Sequence, residues 1–288
     1  MLVTGASGFV GRQIVSALDG LGAEAVSPGE PCADLLQAGA RRALVEDARA
    51  DTLIHAAWIT RHGAFWDSEE NLDWVAASLD LTRAFAAAGG RRVVLVGSCA
   101  EYDWARPTRS RWRETRPTRP ASLYGAAKLA TWTVAAAFAA HAGLTAACAR
   151  LFLPVGRHEA PGRLLPSLIA AILAGTELGT GPAHLTRDLI DVRDAGEAIA
   201  RLALSDASGP VNIGSGRPVT LGELVQRVAG GRHHRIRLGA RPPRAGEPLW
   251  MVADPARLRR ATLFQPRHSL DDTIADALAY WRAMRAPP

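Results

Sequence analysis

Lysine is almost missing from this chain: Lys128 is the single lysine among 34 basic residues. Arginine keeps its proton at any ordinary pH and is too broad to stand in for a compact ammonium, so a site that needs an amine has one candidate, Lys128. Cysteine is scarce as well. Cys32, Cys99 and Cys148 stand apart, with neither the pairing of a disulfide framework nor the spacing of metal ligands, which fits a reducing compartment. His233 and His234 have no companion ligands and are expected in solvent, so no metal is expected. No run reaches about 18 uninterrupted apolar residues, and MLVTGASGF at the N-terminus has neither a basic region nor a long apolar segment. Neither a membrane span nor a secretory leader is expected, and the reading is cytoplasmic.

What is present is ordinary for a folded protein: 48% hydrophobic and 22% charged residues place the chain far from the disordered regime. A formal charge of +6 raises the question of nucleic acid, but the arginines are spread along the whole chain rather than gathered in a tail or stripe. Nucleic-acid binding is therefore not expected. At 288 residues there is room for a nucleotide-binding domain and a smaller second lobe.

Short apolar runs alternate with longer helical patterns. Strands are expected at Leu2 to Thr4, Ala23 to Val26, Thr52 to Ala57, Arg92 to Gly97 and Leu144 to Leu151. Helices are expected near Gly11 to Leu21, Glu69 to Ala88 and Ser122 to His141. Strand, helix, strand, helix is the order of a parallel sheet covered on both faces. Beyond Phe152 the pattern loosens into pieces rich in proline and glycine, broken by a helical run at Leu164 to Ala174 and a returning strand and helix near Asp188 to Leu204. The expected fold is thus α/β, a doubly wound parallel sheet of Rossmann type over residues 1–152, with the element near 186–204 returning to it. Residues 153–288 are expected to form a smaller mixed α/β lobe for substrate.

Gly5, Gly8 and Gly11 punctuate TGASGFVG, between the first strand and the first helix. Glycines so placed permit a tight turn and let backbone amides and the helix N-terminus approach a pyrophosphate. Ser7, Phe9 and Val10 lie in the same loop. Dinucleotide binders that take NAD carry an acidic residue about 20 positions further on to hold the adenosine ribose. Here Val26 runs into Ser27 and Pro28, so no carboxylate opposes a 2′-phosphate, and Arg12 is a candidate partner for it. NADP is favoured, with NAD the alternative.

Tyr124 and Lys128 form Tyr-x-x-x-Lys at the start of a helical stretch, on one face. An ammonium ~4 Å from a phenol, at an effective dielectric near 20, stabilises the tyrosinate by about 4 kcal/mol, or roughly three pKa units. The expectation is a phenol acidified toward neutrality and able to exchange a proton with a substrate oxygen. Ser98 ends the run Val93 to Val96, at the strand end where open α/β sheets place their ligands, and its hydroxyl can hold the same oxygen.

With these motifs in hand, nearly the whole chain resembles an extended short-chain dehydrogenase/reductase of the NAD-dependent epimerase/dehydratase family. TGASGFVG is similar to the family's cofactor loop, Asp34–Leu35 to its adenine-contacting pair, and HAAW at His55 to Trp58 to a strand motif that puts Ala56, Ala57 and Trp58 beside the cofactor. GSCAEY (Gly97 to Tyr102) and YGAAK (Tyr124 to Lys128) resemble its catalytic motifs. RLFLPVG (Arg150 to Gly156) resembles the segment whose Leu151 and Pro154 reach the nicotinamide. TRDLIDVRD, VNIGSG and RAGEP are like its substrate-lobe signatures. The resemblance implies Ser98, Tyr124 and Lys128 as catalytic residues, Tyr124 and Lys128 also touching cofactor. It implies Ser98, Cys99, Arg187 and Arg244 around a nucleotide sugar, with the two arginines on its diphosphate, where guanidinium forks suit phosphate oxygens.

Departures narrow the chemistry. Cys99 and Ala100 stand where sugar dehydratases carry acids, so water elimination is not expected, and Cys99 reads as a small strand-end filler. Trp74 replaces an asparagine common in the family. The implied activity is reduction of a 4-keto-6-deoxy sugar nucleotide by NADPH, with a 4-epimerase using NAD as the alternative and a non-catalytic NADP sensor as a reading of another class. The alanine-rich helices resemble those through which family members pair, so a homodimer is expected.

Overall fold

The structure, a computed structural model, describes residues 1–27, 34–59, 61, 63–244 and 246–284, with the side chains at 232–234 excepted. Pro28, Cys32 and the side chains of His233 and His234 lie outside the described residues. In chain order the elements are β1 (Leu2–Thr4), α1 (Gly11–Gly20), α2 (Ala38–Ala48), β2 (Thr52–His55), α3 (Glu70–Ala87), β3 (Arg92–Ser98), α4 (Leu123–Ala142), β4 (Thr145–Leu151), β5 (Leu153–Val155) and α5 (Leu164–Ala174). There follow β6 (Leu178–Gly179), β7 (Thr186–Asp191), α6 (Val192–Leu204), β8 (Gly209–Ile213), β9 (Pro218–Thr220), α7 (Leu221–Ala229), β10 (Ile236–Arg237), β11 (Trp250–Met251), α8 (Ala256–Thr262) and α9 (Leu270–Ala283).

Strands β1, β2, β3, β4 and β8 form one parallel sheet in that order. Alternation along each strand explains why both faces are covered. Val3, Ile54, Val94 and Val96 meet Ile14 and Leu18 of α1 and the apolar face of α6. Their neighbours Leu2, Leu53, Val93 and Leu95 meet Val45 of α2, Leu81 and Phe85 of α3, and Ala135 and Ala139 of α4. The fold is therefore the doubly wound α/β sheet that the strand and helix order predicts. α6 joins it as expected, entered directly from β7 with the Asp191 carboxylate accepting from the Arg193 amide at 2.8 Å.

Three expectations need correction. β7, the strand expected to return to this sheet with α6, instead pairs with β5 and β11 in a second sheet, and the fifth strand of the main sheet is β8, from within residues 153–288. The strand expected at Ala23 to Val26 is reduced to one bridge between Val26 and Leu2, made by Val3 N–H to Val26 O at 2.9 Å and Val26 N–H to Met1 O at 2.8 Å. Ala23 and Ala25 offer little side-chain area to hold a longer ladder. The apparent looseness beyond Phe152 conceals α7, α8 and α9. Two of these begin with reciprocal caps, Thr220 with Glu223 and Ser269 with Asp272, a sequence pattern that marks a helix start in the midst of polar residues. α5, α7 and α9 bury Leu168, Ile172, Leu224, Val228 and Ile274 in a second core, flanking a smaller sheet in which β11, β7 and β5 are parallel and β9 runs antiparallel to β7. Among the described residues no helix is long and apolar enough to cross a membrane.

Candidate active site

One cavity of about 440 Å³ opens at the C-terminal ends of β1, β2, β3 and β4 and runs to the second lobe. Its first wall is the glycine loop. Gly5 has φ +72°, and a β-carbon on it would sit 2.7 Å from the Ala57 amide nitrogen. A β-carbon on Gly11 would overlap the Gly5 carbonyl oxygen. The loop thus folds back on itself and on Ala56–Ala57 only because these positions carry no side chain, and it lines the cavity up to the start of α1. This cradle fits a dinucleotide pyrophosphate. Gly11→Ala is expected to weaken NADPH binding at least about tenfold, about 1.4 kcal/mol, in a fluorescence titration; unchanged affinity would remove the loop from cofactor binding.

The second wall carries the candidate chemistry. Ser122 caps α4, accepting from the Gly125 amide at 3.1 Å, so Tyr124 lies in the first turn and Lys128 one turn later. The Tyr124 amide also donates to Trp66 O at 2.9 Å, and Phe65 and Trp66 pack edge-on against the phenol ring with centroids 4.9 Å and 5.6 Å away. Asn71 holds that segment in place, donating to Phe65 O and Ser68 O at 2.8 Å and accepting from Trp58 Nε1 at 2.9 Å. Ser98 stands at the end of β3, its Oγ accepting from the Ala100 amide at 3.1 Å.

The phenol and the amine do not behave as the Tyr-x-x-x-Lys pattern predicts. Lys128 Nζ donates to Val96 O at 2.9 Å and lies 3.9 Å over the Trp58 ring. Burial pushes the ammonium down to about 7, with Glu101 opposing. Burial also pushes Tyr124 up to about 12, against a hydrogen bond with Ser98 and the charge of Arg163. Desolvation disfavours the charged form of both groups. Lys128 is therefore not the cation that acidifies the phenol; the guanidinium of Arg163 is the one acting in that direction. His55 is held neutral: burial, then Lys128, lowers it to about 3. Ser78 donates to Trp74 O and so accepts from His55 Nε2, leaving Nδ1 to accept from Thr4.

Of the residues expected at the cofactor, Gly5, Ser7, Gly8, Phe9, Val10, Gly11, Ala56, Ala57, Trp58, Tyr124, Lys128, Leu151 and Pro154 line the cavity. Arg12, Asp34 and Leu35 do not. Arg12 donates to Ser7 O at 2.8 Å and Gly8 O at 3.3 Å, bracing the glycine loop from outside. Exposed Asp34 accepts from the Leu36 amide, and the buried Leu35 turns its carbonyl to Arg41. Of the residues expected at substrate, Ser98, Cys99 and Arg187 line the cavity and Arg244 does not. Cys99 is buried, and desolvation raises its thiol to about 12, so it is chemically quiet. Arg187 is drawn to Glu247 Oε1 at 2.5 Å and to the carbonyls of Thr186 and Pro248. Arg244 lies 4.5 Å over Trp66 and pairs with Asp67 at 2.7 Å. Glu247 joins the two, since it also accepts from the Arg244 amide at 3.0 Å.

Sequence reasoning did not single out Phe65, Trp66, Trp104, Phe152, Glu159, Arg163 or Glu247, all in the cavity wall. For Glu247 the signal was present inside RAGEP, and for Glu159 and Arg163 it was the four-residue spacing of opposite charges just past RLFLPVG. The aromatic residues before α3 carry no periodic signal that would have marked them.

Residues 1–214 match the family model described as NAD dependent epimerase/dehydratase family. The chain is 30% identical to a dTDP-6-deoxy-L-talose 4-dehydrogenase (NAD(P)(+)) of Kitasatospora kifunensis, over 99% of this chain and 96% of that one. It is 27% identical to a UDP-glucose 4-epimerase of Azospirillum brasilense, over 99% and 92%. Among solved structures it is similar to MoeE5 in complex with UDP-glucose and NAD, with a TM-score of 0.85, 26% identity and 99% of each chain covered.

Proposed function

Because this chain belongs to the NAD dependent epimerase/dehydratase family, we propose that it is an NADPH-dependent reductase of a 4-keto-6-deoxy sugar carried on a nucleotide. Its relatives are NAD(P)-dependent enzymes of nucleotide sugars, and the chain is an oxidoreductase of that type. The observation that carries the finer reading is the wall around Tyr124. Phe65, Trp66, Trp104, Phe152 and Leu153 give it an apolar lining, suited to a ring that presents a methyl group in place of a hydroxymethyl. The relative from Kitasatospora is named for a 6-deoxy sugar.

The nicotinamide, when bound, supplies or takes the hydride. In our reading the glycine-loop amides hold the pyrophosphate, and Leu151 and Pro154 flank the nicotinamide end. Ser98 Oγ holds the substrate carbonyl oxygen and polarises it. Tyr124, protonated throughout the neutral range because burial raises it, donates the proton that this oxygen takes up. Lys128, wedged between Val96 O and Trp58, sets the ribose end of the cofactor. Arg187, poised by Glu247, faces the diphosphate. The absent carboxylate after Val26 favours NADPH over NADH.

A 4-epimerase would use the same residues, and the relative from Azospirillum is named as one. The purified protein separates the two. A reductase arrives without tightly held NAD and consumes one equivalent of NADPH, in preference to NADH, for each dTDP-4-keto-6-deoxyglucose. Co-purified NAD, together with interconversion of UDP-glucose and UDP-galactose without net cofactor turnover, would overturn the proposal.

A further inference from the structure

The segment after β5 turns at Gly156 and carries Glu159 and Arg163 into the same cavity as Ser98 and Tyr124. Glu159 is 5% exposed. Its Oε1 lies 3.6 Å from Arg163 Nε, and its Oε2 is buried without a hydrogen-bond partner. A carboxylate in that position is destabilised unless a donor reaches its open oxygen. Burial accordingly raises the carboxyl to about 7, with Arg163 and a backbone hydrogen bond at Gly156 opposing only in part. Arg163 also acts on Tyr124, lowering its pKa, so the pair stands within electrostatic reach of the reacting oxygen.

We propose that Glu159 is a specificity-determining residue that reads the sugar: its free Oε2 accepts a hydrogen bond from a ring hydroxyl of the bound nucleotide sugar, while Arg163 fixes the carboxylate. This rests on the nucleotide-sugar reading above. A neutral hydroxyl fits better than an ammonium because Arg163 already supplies the counter-charge. A sugar with that hydroxyl removed or inverted leaves a buried acceptor unpaired, which is how a polar site rejects a near-isostere.

The test uses NADP-saturated enzyme and two ligand pairs, dTDP with dTDP-4-keto-6-deoxyglucose and UDP with UDP-4-keto-6-deoxyglucose, titrated calorimetrically into wild type, Glu159→Leu and Glu159→Gln. Glu159→Leu is expected to weaken the preferred sugar nucleotide by about ten- to a hundredfold and to leave the matching bare diphosphate unchanged. Glu159→Gln keeps one acceptor and should fall between. Equal losses on sugar nucleotide and diphosphate would make the role structural, and no loss on either would remove it; both outcomes overturn the proposal. If Glu159→Leu does not fold, Glu159→Gln decides by the same comparison. Wild type that binds neither sugar nucleotide would instead bring down the substrate assignment, and this inference with it.

Discussion

Tyr124→Phe is expected to lower kcat for keto-sugar reduction by about 10²- to 10⁴-fold, the range in which a positioned general acid contributes, while the Kd for NADPH stays within about twofold of wild type. The change removes one oxygen from a ring that Phe65 and Trp66 hold by its edges, so the packing survives and the loss reports chemistry. The electrostatics fix which direction suffers. A phenol raised to about 12 by burial carries its proton at neutral pH and serves as a donor to an oxygen gaining charge. Among the described residues of the wall, Cys99 is equally reluctant to ionise. Glu159, raised to about 7, and Lys128, lowered to about 7, are the other groups of the wall able to part with a proton near neutrality. Activity that persists in the phenylalanine variant and falls as pH rises through about 7 would move the acid from Tyr124 to one of these two groups. Stopped-flow NADPH oxidation across pH 5 to pH 9, a range that brackets unperturbed imidazole-like titrations by about two units, distinguishes these outcomes.

How much of this site could be read in advance depended on the range over which each property is decided. The glycine loop, the Ser122 start of α4 and the placement of Ser98 at a strand end follow from local geometry, and the sequence shows them. The α5 bounds, Leu164–Ala174, match expectation residue for residue because an almost wholly apolar run ends at a glycine with φ +67°. Arg12 was legible as a cation beside the loop, but its commitment to Ser7 O and Gly8 O was not, since two backbone carbonyls compete with a phosphate only once the turn exists. The relation between Lys128 and Tyr124 failed for a similar reason. Spacing places two side chains on one face, yet their direction is set by what lies across from them, here Val96 O on β3 and the Trp58 ring just past β2, both far away in sequence. Desolvation, which governs both pKa shifts, belongs to the whole cavity and has no local signature. The aromatic segment from Phe65 to Trp66 lies outside any helix or strand, where hydrophobic period carries no information, and its importance emerges only when Asn71 fastens it over the phenol.

Glu101→Gln is expected to destabilise the protein by about 3–5 kcal/mol, the usual consequence of stripping one partner from a buried ion pair. Glu101 is fully buried and bonds Arg150 Nε at 2.8 Å; the arginine is 3% exposed. Space for the carboxylate exists because position 97 is glycine: a β-carbon there would overlap Glu101 Oε1 and crowd Cys148 Sγ. From beneath the strand Glu101 accepts the Ser98 amide at 2.7 Å, and Arg150 stacks 4.7 Å over Tyr102, whose hydroxyl donates to Asn212 at 2.6 Å. The carboxyl is raised by burial, with Arg150 opposing, and burial, the largest single influence on Arg150, would lower it but is outweighed by Glu101, Tyr102 and Cys148 acting together. Replacing both, as Glu101→Leu with Arg150→Met, should return most of the lost stability, because no charge is then left unpaired. Activity should not return with it. Glu101 is the main group that holds the Lys128 pKa up against burial, and without it the ammonium loses its proton at lower pH than about 7. A favourable interaction with the charged form, once removed, moves the titration downward, so any alkaline limb of kcat/KM that reports charged Lys128 shifts toward acid in the double variant. Chemical denaturation and a pH–rate profile of the same preparation test the two halves together. Restored stability with an unmoved alkaline limb would confine Glu101 to holding Arg150 and the Ser98 turn, and would detach the lysine from the buried pair.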